Sequence, residues 1–284
     1  MPAAELASSS PTRLARSSPT PPAFLRLQRQ SYDACVFSVA EREALRDRLI
    51  AAARGDDRIT AAAVVGSGAN DGEDAWSDID LALRLADGLK PDDVAAEWTT
   101  RVYESAGAID NVDVWSGSTL FRVFLLRSSL QVDLSFWPSD AFAASGASFR
   151  LLFGESNRAR PARSPSSDTL IGMGWLYALH ARSSIARGRA LQALYMINSL
   201  REQVVMLACL RHELPAYEGR GVDDLPAGLR QFLAETLVRD LNPHELRRAF
   251  TASVDALLDE AQRVDPAREQ RLRETVWELV HTAD

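Results

Sequence analysis

The spacing of hydrophobic residues divides the start of the chain into a helix and two strands. Hydrophobic residues recur at helical intervals among charged ones in residues 30–54, and Gly55 follows, so we predict a helix that ends there. Residues 59–66 form a short apolar run that is typical of a buried strand. From residue 78 to 85, apolar and polar residues alternate, which predicts a strand with one buried face and one polar face.

The next stretch predicts a second helix followed by hairpins. The helix should begin at Pro91, because proline suits the first turn of a helix, and run to about Ser105. Three strand candidates follow at residues 109–115, 120–126 and 130–137. Only short turns separate them, which indicates antiparallel hairpins.

The second half of the chain is helical in pattern. A polar, proline-containing linker occupies residues 156–167, and helices are predicted at 168–187, 189–213, 225–240, 243–260 and 266–281. Strands that precede a run of helices predict an α+β fold. We expect a small mixed-sheet domain over residues 29–156 and an α-helical bundle domain over residues 157–284.

Composition narrows the class of protein. The net charge of −7 over 284 residues argues against electrostatic binding of nucleic acid over a large surface. Cys35 and Cys209 have neither pairing partners nor metal-ligand spacing, so we expect free thiols and a cytoplasmic protein. No apolar run is long enough to span a membrane, and residues 1–28, rich in Pro, Ser and Ala, are predicted to be a disordered tail.

Two aspartates on the alternating strand are the main candidates for chemistry. Asp78 and Asp80 are two residues apart on a strand, so both side chains leave the same face. Two carboxylates this close repel unless a cation lies between them, and Mg²⁺ prefers such oxygens together with phosphate oxygens. Asp133 is a similar carboxylate on a later strand, and three carboxylates converge if the two strands are neighbours. Asp113 on another strand is its rival.

Gly66-Ser67, at the end of the preceding strand, supplies a second part of the candidate site. Glycine lets backbone N–H groups approach a phosphate closely, and the serine hydroxyl adds a donor. The acidic loop that follows contains Asp71, Glu73 and Asp74. We predict that it is solvated, with an acidic lip for a polycationic substrate as the alternative.

Together these residues resemble a known superfamily. Gly66-Ser67, ten intervening residues, Asp78-Ile79-Asp80 and then Asp133 look like the motif of the polymerase-beta-type nucleotidyltransferases. A short catalytic domain followed by helices resembles the bacterial aminoglycoside and lincosamide nucleotidyltransferases within it. The resemblance implies Mg²⁺-dependent transfer of a nucleoside monophosphate from an NTP to a hydroxyl of a small molecule, with release of pyrophosphate. We expect the NTP to be ATP.

The resemblance also implies roles for individual residues. Asp78 and Asp80 would hold two Mg²⁺ ions, and Asp133 would complete the second metal site or act as general base toward the acceptor. Gly66 and Ser67 would bind the β- and γ-phosphates, and Ser77 would be a further nucleotide contact.

The helix near residues 189–213 carries a polar group of side chains within an apolar run: Tyr195, Asn198, Arg201 and Glu202. One interpretation is an ordinary helix surface with a Glu–Arg pair. The other is a substrate-binding wall, in which Arg201 contacts the triphosphate and the remaining three contact the acceptor. Elsewhere, Trp76, Trp115 and Trp137 are predicted to be packing residues, with base stacking as the alternative.

Three functions stay open at this point. A small-molecule nucleotidyltransferase is favoured. The same chemistry acting on tRNA or on a protein, as a toxin, is the first alternative, although no strong basic stripe supports an RNA acceptor. The second is a non-catalytic nucleotide-binding regulatory module, which would not need three metal-ligand carboxylates. A homodimer is left open.

Overall fold

The computed structural model of the protein describes residues 37–70, 72–144, 148–159 and 164–283. The predicted tail, residues 1–28, and Cys35 lie outside them. The chain divides into two compact units between Ala162 and Arg163. The first contains the strands and the second is helical, so the predicted α+β class is confirmed.

In the described part of the first unit, six strands form one mixed sheet: β1 Ile59–Val65, β2 Ile79–Leu85, β3 Ala108–Ser116, β4 Thr119–Leu126, β5 Gln131–Trp137 and β6 Phe149–Phe153. Their order is β3-β4-β5-β2-β1-β6. Strands β2 and β5 are parallel, and every other neighbouring pair is antiparallel. Strand β6, which was not predicted, pairs with β1 at one edge of the sheet.

Two helices, α1 Val39–Arg54 and α2 Pro91–Ala106, cover one face of this sheet. Ser38 caps α1 in a capping box with Glu41, and Pro91 begins α2 as predicted. The core between helices and sheet includes Leu45 and Leu49 of α1, Trp98 of α2, and the apolar side chains of β2 at positions 79, 81, 83 and 85. The opposite face of β2 is therefore left to polar and small side chains.

The described residues of the second unit form five α-helices: α3 Ser167–Ala186, α4 Ala190–Arg211, α5 Ala227–Glu235, α6 Pro243–Val264 and α7 Pro266–His281. Helix α5 is shorter than predicted. Arg248 of α6 donates hydrogen bonds to the backbone carbonyls of Glu235 and Leu237, at 2.6 and 2.7 Å. The helix can therefore end at Glu235, because these carbonyls have hydrogen-bond donors without another helical turn. The Asn242 side chain caps α6.

Cys209 of α4 is a buried free thiol in the core of this unit. Among the described residues, no helix is long and apolar enough to cross a membrane.

Helices α4 and α6 are joined at the buried carboxylate of Glu260, which two arginines contact. Glu260 of α6 is 1% exposed and accepts two hydrogen bonds from Arg211 of α4, at 2.8 and 2.9 Å. Arg263, which is 47% exposed, approaches the same carboxylate at 3.4 Å. Arg211 therefore holds α4 to α6 through a paired buried charge.

We expect Arg211→Ala to lower the free energy of unfolding by about 3 kcal/mol, because it leaves the buried Glu260 carboxylate largely uncompensated. Arg263→Ala is the matched control and should cost less than about 1 kcal/mol, since this arginine is exposed to water. Urea unfolding of both variants measures the difference. Equal losses would contradict the assignment of Arg211 as the main partner of Glu260.

Candidate metal and nucleotide site

Three aspartates meet at one place on the sheet. In the parallel β2–β5 pair, Asp80 lies directly opposite Asp133, and Asp78 immediately precedes β2. One carboxylate oxygen from each of the three lies within 4.8 Å of the others, and all three residues are half-buried. An all-oxygen set at this spacing can hold a divalent cation such as Mg²⁺.

Asp113, the rival of Asp133, lies elsewhere. It is on β3 and accepts hydrogen bonds at 2.6 Å from both the Nε and the Nη2 of Arg122, which also contacts Thr99 of α2. This arginine lowers the pKa of the Asp113 carboxyl. Asp113 is thus neutralised on the helix-covered face of the sheet.

Gly66 and Asp80 are in such close contact that only glycine fits at position 66. A Cβ atom added to Gly66 would lie 2.2 Å from Oδ2 of Asp80, and the residue has a φ of +67°. Both the space and the backbone conformation therefore require glycine. The turn Gly66–Ala69, which includes the exposed Ser67, is a short 3₁₀ helix that follows β1 and lies against the carboxylate group.

Gln131, which sequence reasoning missed, bridges two of the three carboxylates. Its side-chain amide donates to Oδ2 of Asp78 at 3.3 Å and to Oδ1 of Asp133 at 3.1 Å. The available signal was its position two residues before Asp133 on the same face of a strand. One amide donating to both carboxylates offsets part of their mutual repulsion.

Asp133 titrates unusually high for an aspartate. Burial of its carboxyl group is the main cause, and it raises the pKa of Asp133 to about 6. The Gln131 hydrogen bond lowers this pKa, and the nearby negative charge of Asp78 raises it further. A bound cation would compensate the buried negative charge and so favour the ionised form of Asp133. The donor set and its electrostatics therefore fit a hard divalent cation.

The acidic loop before Asp78 is anchored from the opposite side by α1. Arg42 of α1 is 1% exposed, and it donates to the Asp74 carbonyl, to the Ser77 carbonyl at 3.2 Å and to the Glu73 carboxylate. Arg46 also pairs with Glu73. The prediction of a solvated loop is thus wrong for Glu73, which pairs with two arginines. Asp71 lies outside the described residues.

Asp74 and Ser77 close the end of this loop by bonding to one another. The Asp74 backbone N–H donates to the Ser77 hydroxyl at 2.9 Å, and an oxygen of the Asp74 carboxylate accepts from the Trp76 backbone N–H at 2.8 Å. The Trp76 N–H and then the Ser77 hydroxyl, which donates to the same carboxylate at 3.1 Å, lower the pKa of Asp74. These bonds define the backbone position of Ser77 and hence of Asp78.

The three tryptophans differ in their surroundings. Trp137 packs edge-on against Phe121 and Phe142, as predicted. Trp76 is 84% exposed, so the prediction that it is a packing residue is wrong. Trp115 is about half exposed.

The predicted substrate wall lies in the second unit, on α4. Tyr195, Asn198 and Glu202 are exposed there, and Arg201 is half-buried. The Nε of Arg201 has no hydrogen-bond partner, and burial lowers the pKa of its guanidinium. Within the described part of the chain, no ion pair joins Arg201 to a carboxylate, Glu202 included, so the predicted Glu–Arg pair does not form.

Comparison with known proteins adds a distant structural similarity. No family model and no curated sequence matches the chain. The structure is similar to that of an aminoglycoside 6-adenyltransferase from Bacillus subtilis, with 11% identity and a TM-score of 0.36, over 84% of this chain and 98% of that chain.

Gly66→Ala should weaken divalent-cation binding at least tenfold, because the new methyl group would displace the Asp80 carboxylate and the backbone would be strained. Gly72→Ala in the same loop is the control, since a Cβ there meets nothing closer than 3.6 Å. Mn²⁺ affinity, measured by electron paramagnetic resonance, compares the two. If both variants keep the wild-type affinity, the contact between Gly66 and Asp80 has no role in cation binding.

Proposed function

We propose that the protein is a nucleotidyltransferase that transfers a nucleoside monophosphate from an NTP, ATP by preference, to a hydroxyl group of a small molecule and releases pyrophosphate. The observation that carries this proposal is the group of three carboxylates, Asp78, Asp80 and Asp133, beside a glycine-dependent turn. Three mutually repelling carboxylates at one point are suited to holding the divalent cations that phosphoryl transfer uses.

Asp78 and Asp80 would hold two Mg²⁺ ions, with Asp133 as the third ligand residue. When bound, the ions would lower the pKa of the acceptor hydroxyl and neutralise negative charge on the departing pyrophosphate. Backbone N–H groups of the Gly66-Ser67 turn would bind the β- and γ-phosphates, as in other phosphate-binding concavities. Ser77 would contribute through its backbone, since its hydroxyl is engaged with Asp74.

Asp133 is the candidate general base. Its carboxylate lies beside the proposed metal ligands Asp78 and Asp80, where the acceptor hydroxyl would be held. In the transfer step the acceptor oxygen bonds to the α-phosphorus, the bond from that phosphorus to the pyrophosphate oxygen breaks, and the hydroxyl proton moves to a carboxylate oxygen of Asp133.

Four residues of α4 complete the proposal. Arg201 would bind the triphosphate, and Glu202, Asn198 and Tyr195 would contact the acceptor. The lack of a carboxylate partner for Arg201 among the described residues supports this role, because a half-buried guanidinium without a counter-charge gains most from an anionic ligand.

The direct test is pyrophosphate release from MgATP in the presence of aminoglycosides, lincosamides or tRNA. We expect one small molecule to be labelled, and Asp80→Asn to reduce the rate at least about 100-fold, because the charge at the reacting centre is lost. Asp113→Asn is the matched control and should retain activity, since that aspartate is paired with Arg122 on the helix-covered face. Release that persists in Asp80→Asn would refute the catalytic assignment. Labelling of tRNA would establish the RNA acceptor instead, and ATP binding without any product would favour a regulatory module.

The raised pKa of Asp133 predicts how cation binding depends on pH. Binding requires the ionised carboxylate, so Mn²⁺ affinity should fall as the pH drops through about 6, by up to tenfold per pH unit below it. An ordinary aspartate would show this fall only near pH 4. Asp133→Asn should bind more weakly but with no decline between pH 7 and 5. An unchanged pH profile in this variant would contradict the assignment of Asp133 as a ligand.

A further inference from the structure

An apolar strip begins directly beside the carboxylate group on the same face of the sheet. The strand register places Asp80 opposite Asp133, Asp133 opposite Val123, and Val123 opposite Val112. One row across four neighbouring strands thus changes from two carboxylates to two valines. Neighbouring rows add Leu125 opposite Gln131, and Phe121 opposite Val114.

These five residues, Val112, Val114, Phe121, Val123 and Leu125, form what we term the β3–β4 strip. Val112 is 57% exposed, Val114 52% and Leu125 48%, although each is a large hydrophobic residue. The other face of the same strands is different, because Leu120 and Phe124 of β4 are fully buried there in the core. A contiguous apolar surface that the fold leaves uncovered is a candidate binding site.

A shallow cavity connects the strip to the carboxylates. It has a volume of about 130 Å³, and its walls include Val112, Val123, Leu125, Asp110 and Gln131. Gln131 is the residue whose amide bonds to Asp78 and Asp133, so the cavity and the carboxylate group share a wall. An apolar cavity of about 150 Å³ holds benzene, and this cavity can therefore take a ring or a short alkyl group.

We propose that the acceptor is an amphiphilic hydroxyl compound whose ring-sized apolar group binds in this cavity, next to the hydroxyl that reaches Asp133. The proposal rests on the proposed function and specifies its substrate class. The described lining residues include one carboxylate, Asp110, and otherwise offer atoms of valine, leucine and phenylalanine residues and side-chain amide groups. A polycationic aminoglycoside would gain little from such a surface, because its ammonium groups need several carboxylates or water.

A second copy of the chain is the competing occupant, because β3 is the edge strand of the sheet. Two features favour a substrate. The strip is continuous with the carboxylate group through the strand register, and the cavity lies between β3, β4 and β5 on the face of the sheet, whereas strand pairing would use the edge of β3.

The test uses the full-length protein with MgATP and two probes, methyl β-glucoside and hexyl β-glucoside, which share their hydroxyls and differ in apolar length. Calorimetry should give at least tenfold tighter binding of the hexyl compound, since each buried methylene adds to affinity. Val112→Asp should remove this gain. Trp115→Asp, at an exposed position on the opposite face of β3, should leave it unchanged.

Three results would overturn the proposal: equal affinity for the two glucosides, a gain that survives Val112→Asp, or a wild-type dimer that Val112→Asp converts to a monomer in analytical ultracentrifugation. MgATP binding, measured separately, distinguishes this failure from failure of the proposed function. It should be the same in wild type and Val112→Asp, whereas a wild-type protein that binds no MgATP would refute nucleotidyl transfer itself.

Discussion

The repulsion between three carboxylates held within 4.8 Å of one another is the constraint on which the rest of the first unit depends. In water these groups would separate, so the fold must hold them together. The parallel pairing of β2 and β5 does this by setting Asp80 opposite Asp133, while the apolar side chains of both strands are locked into the core on the other face. A slip of one residue would turn the aspartates into that core, and the register is therefore strongly specified.

Several residues near the three carboxylates have contacts or a pKa that depend on their negative charge. Gln131 donates to two of the carboxylates, and the pKa of Asp133 rises to about 6 because its ionised form is buried and repelled. Gly66 lets the backbone approach Asp80 with no side chain between them. Behind the loop, the buried Arg42 fixes the carbonyls of Asp74 and Ser77 and thereby the start of β2. The acidic loop is thus a support for the site, with Glu73 directed at arginines of the protein itself.

The sequence was a good guide where the pattern is local. The alternation from residue 78 to 85, the prolines that begin α2, α6 and α7, and the Gly-Ser turn all predict elements that the structure contains. Strand β6 was missed because its five residues gain their strand conformation from pairing with β1, which no local pattern reports. For the same reason the proximity of Asp133 to Asp80 could be stated only on the condition that their strands are neighbours.

The roles of Gln131, Arg42 and Glu73 depend on contacts over 30 or more residues in the chain or on the orientation of one side chain. Such contacts follow from tertiary packing.

We propose above all that Asp78, Asp80 and Asp133 form a metal–triphosphate site with the Gly66-Ser67 turn. A crystal structure with Mn²⁺ and a non-hydrolysable ATP analogue tests it most directly through anomalous scattering. We expect Mn²⁺ bonded to Asp78 and Asp80, with the β- and γ-phosphates against the Gly66-Ser67 turn. Mn²⁺ bound elsewhere, or a nucleotide bound away from these three carboxylates, would contradict it.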